Sequence, residues 1–235
     1  MFNLSAVKAA ENSKRYVTNK IHVSELASHD CDRYLWLTHS GQYSWIPDEN
    51  ILWAFLVGKG IHSELEKECL AWAEQNGAIG FSEVKVETDN MIGSIDLVIV
   101  YERKKTIDII DIKSTGAEGF FLLPSESMIN QVNIYVGALL AGGFKALKNI
   151  KVTKDWNIGG QIWKVNKTGR PRYFDVEQDA HPIQIDLDIY RNAEKRAEKI
   201  SSALKGGYEI KKEDGQKCAG CPARLVCEGL KSIEI

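Results

Sequence analysis

From Ile51 to Trp72 apolar residues recur at helical spacing, while Glu64, Glu66, Lys67 and Glu68 fall on a solvent-facing side, the pattern of an amphipathic helix that Asn76-Gly77 would end. The helical reading extends back over residues 21–75, with Ser24 as N-cap of a segment carrying Leu26, Cys31, Tyr34 and Leu35. The period then drops to two. Phe81 to Glu87 alternates as a half-buried strand, Asp89-Asn90 makes a turn, and Ile92 to Tyr101 forms the next strand. Beyond the polar turn Arg103-Lys104-Lys105, Ile107 to Lys113 is a short, mostly apolar strand of the kind buried on both faces. Helical spacing returns from Met128 to Leu140 and stops at Gly142-Gly143. Residues 150–174 predict two more strands built around Trp156, Trp163 and Tyr173. A last helix, capped by Asp186 or Asp188, puts Ile189, Ala193, Ala197, Ile200 and Leu204 on one face and ends at Gly206-Gly207. The expectation is a mixed α/β fold in a single domain over 1–235, with a helical flank at 21–75, a core at 80–175 and a C-terminal helix and cysteine cluster at 186–235.

Composition narrows the class. Hydrophobic content of 44% and charged content of 26% are ordinary for a soluble globular chain. No apolar run approaches the roughly 20 residues that span a membrane. The segment Met1-Phe2-Asn3-Leu4-Ser5-Ala6-Val7-Lys8 lacks the charge and apolar order of a secretion signal, so a cytoplasmic location is expected. A net charge of −2 gives no global sign of nucleic acid. Locally, Lys145, Lys148, Lys151, Lys154, Lys164, Lys167, Arg170 and Arg172 stand against the single acid Asp155, and Asp175, Glu177, Asp179, Asp186 and Asp188 follow. This is either a solvated surface segment or a strip that contacts phosphates.

The cysteines point to a metal. Cys218, Cys221 and Cys227 are spaced C-x2-C-x5-C, three thiols where a tetrahedral zinc or an iron–sulfur cluster takes four. Cys31 and Cys69 are the remaining cysteines, so either could close the set and tie the C-terminus to the first part of the chain. A thioredoxin-like use of Cys218-Ala219-Gly220-Cys221 is disfavoured, because no strand precedes it.

A second constellation lies on the predicted strands. Asp111 and Lys113 are two apart and share a strand face, and Asp96 stands on the preceding strand in Gly93-Ser94-Ile95-Asp96. Two carboxylates from neighbouring strands can hold magnesium or manganese, although Asp-x-Lys alone more often marks a strand-end salt bridge. His62 follows Gly58 in Gly-x3-His on a helix, and neutral imidazole is a common ligand. Gln131 and Tyr135, four apart, project from one helical face after the Asp-x-Lys strand. Asp108 falls out of phase with Asp111 and should face the other way. Trp36, Tyr43, Trp45 and Trp53 could stack on bases but suit core packing better. His22, His29, His39 and His181 lack ligand spacing, and Cys69 reads as a packed thiol.

In this order, Gly58-x3-His62, Gly93-x2-Asp96, Asp111-x-Lys113 and Gln131-x3-Tyr135 resemble the successive motifs of RecB-type PD-(D/E)xK nucleases. With Cys31 in front and Cys218, Cys221 and Cys227 behind, the chain is similar to the iron–sulfur RecB-like exonucleases typified by the CRISPR-associated Cas-four family, and to nuclease domains of the AddB type. The resemblance runs from about residue 24, where Ser24-Glu25-Leu26 to Cys31-Asp32-Arg33-Tyr34 looks like the family's opening helix, to residue 228. It implies a restriction-endonuclease-like mixed sheet, and an iron–sulfur cluster that closes the C-terminus onto the N-terminal part. It implies that His62, Asp96, Asp111 and the backbone carbonyl of Ile112 bind manganese or magnesium. Lys113 would be the catalytic lysine, with Gln131 and Tyr135 beside the site. Cys31, Cys218, Cys221 and Cys227 would hold a 4Fe–4S cluster, with zinc as the alternative. Asp111 departs from the Glu commonly found at its position and is shorter by one methylene.

The function implied is a metal-dependent DNA exonuclease on single-stranded ends, hydrolysing phosphodiesters with a metal-activated water, in CRISPR spacer acquisition or in phage or repair recombination. Its partners would be DNA and either CRISPR integrase proteins, a recombination or annealing protein, or a helicase; no membrane is expected. Two readings of other classes remain: a catalytically weak or inactive iron–sulfur or zinc module for DNA binding or assembly, and a four-thiolate zinc protein without nuclease activity. No G-x4-G-K-[ST] loop occurs, so the chain is not expected to be an ATP-driven motor.

Overall fold

The computed structural model describes residues 19–28, 31–44, 47–142, 147, 150–166, 180–212 and 216–229. A two-residue strand, β1 (Ile21–His22), leads into the short helices α1 (Val23–Ser28) and α2 (Asp32–His39). The long helix α3 (Glu49–Gln75) follows, started by the Asp48 carboxylate accepting from Ile51 N at 2.9 Å and ended at Asn76. Next come β2 (Ile79–Glu87), β3 (Met91–Tyr101) and β4 (Thr106–Thr115). Helices α4 (Ala117–Phe121) and α5 (Glu126–Ala141) carry the chain over to β5 (Asn157–Asn166) and β6 (Ala180–Ile183). Helix α6 (Leu187–Gly206) and the single turn α7 (Arg224–Cys227) complete the described elements.

The sheet is mixed. β3 pairs antiparallel with β2 and β4, β4 pairs parallel with β5, β5 pairs antiparallel with β6, and β1 runs parallel to the first residues of β3. Alternation along β4 sends Ile107 and Ile109 to one face, where Val132, Val136 and Leu139 of α5 and Ala197 and Ile200 of α6 cover them. Ile110 and Ile112 face the other way, against Leu65, Leu70 and Ala73 of α3. α3 and α5 thus sandwich the central strands.

Three expectations change. Ser24 lies inside α1, which leaves β1 directly at Val23; the capping side chain of this region is Cys31, whose Sγ accepts from Tyr34 N at 3.4 Å at the start of α2. Residues 150–156 are not a strand: of the two strands expected over 150–174, β5 is present, while the next strand described is β6, at Ala180–Ile183. Tyr173 lies outside the described residues, as do Trp45, His29, Lys145, Lys148, Lys167, Arg170, Arg172, Asp175, Glu177, Asp179 and the segment 1–8. Of the basic run, Lys151 and Lys154 are exposed, but Lys164 is 2% exposed and so is neither a solvated nor a phosphate-facing residue. Among the described residues no helix is long and apolar enough to cross a membrane.

Candidate active site and thiol pocket

The sheet opens at Asp96. Ser82↔Leu97 and Val84↔Ile95 are paired across β2 and β3, which places Glu83 opposite Asp96, and the ladder is interrupted between them. Glu83 has φ +49°, a left-handed conformation that costs a non-glycine residue about 1–3 kcal/mol. On the other side the β3–β4 ladder ends at Leu97↔Ile110, and the Ile112 N–H beyond it donates instead to Asp96 Oδ2 at 2.6 Å. β4 stays paired to β5 through Thr115. β3 therefore departs from its neighbours where its carboxylate is needed, and helices from both faces reach into the opening.

From α3 come His62 and Glu66, one turn apart. His62 Nδ1 lies 3.7 Å from Asp96 Oδ2, and one ligand atom from each of His62, Glu66 and Asp96 falls within 4.8 Å of the others. Glu66 was expected on the wet side of its helix; it is buried, because that turn of α3 faces the opening in the sheet. Burial, then the nearby Glu83 and Asp96, push its carboxyl up to about 7. Burial disfavours a charged His62, but the Asp96 carboxylate outweighs it and raises the imidazole above its ordinary range. A cluster that holds protons so firmly is one in which a cation would relieve repulsion.

From β4 come Asp111 and Lys113. Asp111 is 2% exposed, and burial pushes it up to about 6 against the opposing pull of Lys113. Lys113 Nζ donates to Asp111 Oδ1 at 3.1 Å; it is 2.8 Å from Oδ2, but among the described residues no aligned hydrogen bond reaches that buried oxygen. The same ammonium donates to Gln131 Oε1 at 3.0 Å, and Gln131 Nε2 donates to Tyr135 OH at 3.1 Å. The helical pair predicted on α5 is thus the far end of a chain running from Asp111 through Lys113. Tyr135 packs against β3 at Gly93, where an added Cβ would stand 2.8 Å from its ring. Asp111 stands beside the trio rather than within it, though its charge acts on His62. Asp108 faces away from Asp111, its Oδ1 close to Gly159.

Of these groups His62, Glu66, Glu83 and Lys113 line a cleft of about 610 Å³, together with Phe55, Lys59 and Ile112, while Asp96 and Asp111 lie behind its wall. α3 can lie this close to the end of β4 because residue 58 is glycine: a Cβ there would meet Ser114 Oγ at 2.7 Å. The donor set of imidazole, carboxylates and an unsatisfied buried carboxylate oxygen fits a hard divalent cation.

The second cluster lies away from the cleft. Cys31, Cys218, Cys221 and Cys227 line one pocket, 187 to 196 residues apart in sequence from the first to the others. Cys69 is elsewhere, packed among Leu70 and the apolar residues under α3, with its thiol pushed up to about 11 by burial. The Cys221 thiol is raised by burial and further by the three neighbouring thiols. Arg33 Nε donates to Cys227 Sγ at 3.2 Å, and Lys212 and Arg224 also line the pocket. Packing of α2 against α6 and α7 brings the thiols together, reinforced by Asp32 bridging Arg196 at 2.8 Å and Lys199 at 2.9 Å. Three other candidates have structural places: Trp36 is buried, Tyr43 packs on Tyr34, and His39 Nε2 lies 2.8 Å from Glu25. Trp53 does not pack in the core as expected and is 62% exposed.

The sequence model of the PD-(D/E)XK nuclease superfamily matches residues 20–228. No curated protein matches the chain in sequence. Among solved structures, an alkaline exonuclease (LHK-Exo) from Laribacter hongkongensis is similar with a TM-score of 0.50 and 11% identity, over 84% of this chain and 93% of that one. A provisionally named exonuclease from Eubacterium rectale gives 0.49 and 12%, over 100% of this chain and 96% of that one. At 11% identity the first likeness is one of fold.

Proposed function

Because the chain belongs to the PD-(D/E)XK nuclease superfamily, whose members use divalent metal, we propose that it is a magnesium- or manganese-dependent deoxyribonuclease that degrades DNA from single-stranded ends. The observation that carries this reading is the meeting of His62, Glu66 and Asp96 with the Asp111–Lys113–Gln131 chain at the opening of the sheet. His62, Asp96 and Asp111 would hold the cation, together with the Ile112 carbonyl. Glu66 joins this set, although no sequence motif named it. When bound, the cation supplies Lewis-acid stabilisation of the phosphodiester and lowers the pKa of water.

The chain's own groups do the rest. Lys113, held between Asp111 and Gln131, orients the attacking water and offsets charge growing on the phosphoryl oxygens. Tyr135 fixes the Gln131 amide, so the lysine meets an acceptor in one orientation. Action from a DNA end draws support from the alkaline exonuclease that shares the fold, and single-strand preference from the motif resemblance. The four-thiol pocket holds a 4Fe–4S cluster, or zinc in the alternative, that staples the C-terminal segment to α2. A role in CRISPR spacer acquisition or in recombination, with an integrase or annealing protein as partner, follows from the same resemblance.

The test is digestion of DNA with one labelled end, single-stranded or duplex, in manganese or magnesium and in EDTA. Stepwise loss of single strands that stops with EDTA is expected. Retention of DNA without degradation would leave only a binding module, and undiminished cleavage by Asp111→Ala would remove the proposed site.

A further inference from the structure

Lys164 is buried, yet it carries an ammonium that neither the cleft nor the thiol pocket uses. It is the register partner of Lys113 across the parallel pair β4–β5, so the two side chains leave the same face of the sheet from strands roughly 4.8 Å apart. Lys113 turns toward Asp111 and Gln131. Lys164 Nζ donates to the carbonyls of Gly119 and Leu122, at the C-terminal end of α4. This buried cation thus anchors the short helix that follows the catalytic strand.

What it anchors is unusual for a protein surface. Phe121 is 79% exposed, Leu122 66% and Leu123 83%, three consecutive large apolar side chains turned to water. The Phe121 ring is braced edge-on by Phe120, with centroids 5.3 Å apart. None of the three lines the cleft itself, but the segment is held close to it: Lys113 lines the cleft, and its register partner on the next strand, Lys164, bonds the Gly119 and Leu122 carbonyls. On α3, Phe55 lines the same cleft and is 49% exposed. Exposed apolar residues beside a site for a phosphodiester suit a ligand that is anionic along its backbone and flat and apolar at its bases.

We propose that Phe121, Leu122 and Leu123, pinned by Lys164, form a platform at the mouth of the cleft that receives unpaired nucleobases adjoining the scissile phosphate. The bases of a duplex are stacked inside the helix and cannot reach such a platform, whereas those of a single strand can. The platform rests on the nuclease reading and deepens it by assigning strand preference to named side chains.

The experiment measures binding of the full chain, in EDTA, to a single-stranded oligonucleotide and to one of the same length with abasic residues near its end. Wild type is expected to lose about ten-fold in affinity for the abasic strand. Phe121→Ser with Leu123→Ser should lose about as much on the intact strand and nothing further on the abasic one. Lys164→Met should reproduce that loss of discrimination while keeping the salt dependence that reports phosphate contacts. The surface pair tests the platform even if Lys164→Met fails to fold, and a melting curve separates the two cases. Equal affinity of wild type for both strands overturns the proposal, as does an unaltered double variant. A double variant that dissociates a self-associated species without changing DNA affinity assigns the face to a second copy of the chain and likewise overturns it. Wild type that binds no DNA overturns the platform, and the nuclease reading falls with it only if digestion with manganese also fails; binding through phosphates alone removes only the platform.

Discussion

The Asp96 carboxylate accepts the backbone N–H of Ile112 at 2.6 Å, so one side chain both ties β3 to β4 beyond the end of their ladder and faces His62. The two duties separate by substitution. Asp96→Asn keeps an acceptor for the amide but removes the charge that a cation needs. We expect a melting temperature close to wild type and a fall in manganese-dependent cleavage of about 1,000-fold. Asp96→Ala also orphans the Ile112 N–H, at a cost of about 1–3 kcal/mol. Digestion rates and thermal melts of both variants check this, and an active Asn variant would detach Asp96 from the chemistry.

The carboxyls set a pH dependence. Asp111 is pushed up to about 6 and Glu66 to about 7, both above the ordinary range near 4. A carboxyl with a raised folded pKa stabilises the fold fully below its unfolded pKa, and that contribution is lost as pH rises through the folded value. His62, raised by Asp96, has the same sense. The metal-free protein should therefore lose stability between about pH 4 and pH 7, while added manganese, which favours the ionised carboxylates, should stabilise it more at about pH 8 than at about pH 5. Melting curves with EDTA and with manganese across that range measure the gap. Glu66→Gln should flatten its upper part, and a gap independent of pH would contradict the assignment.

Glu83 holds its left-handed φ of +49° while its carboxylate accepts from Ser94 Oγ at 2.7 Å. Glycine adopts that conformation without strain, so Glu83→Gly should stabilise the fold by up to about 1 kcal/mol, or about 2–4 °C in melting temperature. It also removes a negative neighbour of Glu66, whose pKa should fall. A variant that melts higher but cleaves more slowly is the expected signature of strain kept for the site. A lower melting temperature would mean that the Ser94 contact outweighs the backbone.

Much of this site is visible in the sequence because it obeys local periods. Asp111 and Lys113 share a face through the two-residue repeat of a strand, and Gln131 and Tyr135 through the helical turn, so each pair is recognisable before folding. Glu66 obeys the same rule, four residues after His62, but it is hidden among Glu64, Lys67 and Glu68, which read together as a wet face. Which turn of α3 meets the sheet is decided by the close approach of Gly58 to Ser114, a tertiary matter. Lys164 is misread for a similar reason: within a basic run nothing distinguishes the one lysine that β5 carries inward. β6 is missed because Ala180-His181-Pro182-Ile183 has no clean alternation, and its proline suits an edge strand. Cys31 joins the other thiols only through the packing of α2 on α6 and α7, and no spacing rule relates it to Cys218, Cys221 and Cys227.

The thiol pocket gives the last prediction. Arg33 reaches two parts of the C-terminal segment at once, donating from Nε to Cys227 Sγ at 3.2 Å and from its terminal nitrogen to the Ile210 carbonyl. If the pocket holds the proposed cluster, an anaerobic preparation should contain iron and sulfide, and Cys227→Ser should lose the metal together with several kcal/mol of stability. Limited proteolysis should then cut within 216–229, because the thiols hold that segment against α2. Arg33→Met should keep the metal but shift the reduction potential downward, since a hydrogen bond and a positive charge at a ligating sulfur both favour the reduced state. A preparation containing zinc alone would assign the pocket to the other metal, and Arg33→Met should then speed metal loss to a chelator. In either case DNA cleavage should decline only as the fold loosens, because Asp96, Asp111 and Lys113 lie on strands that the pocket does not touch.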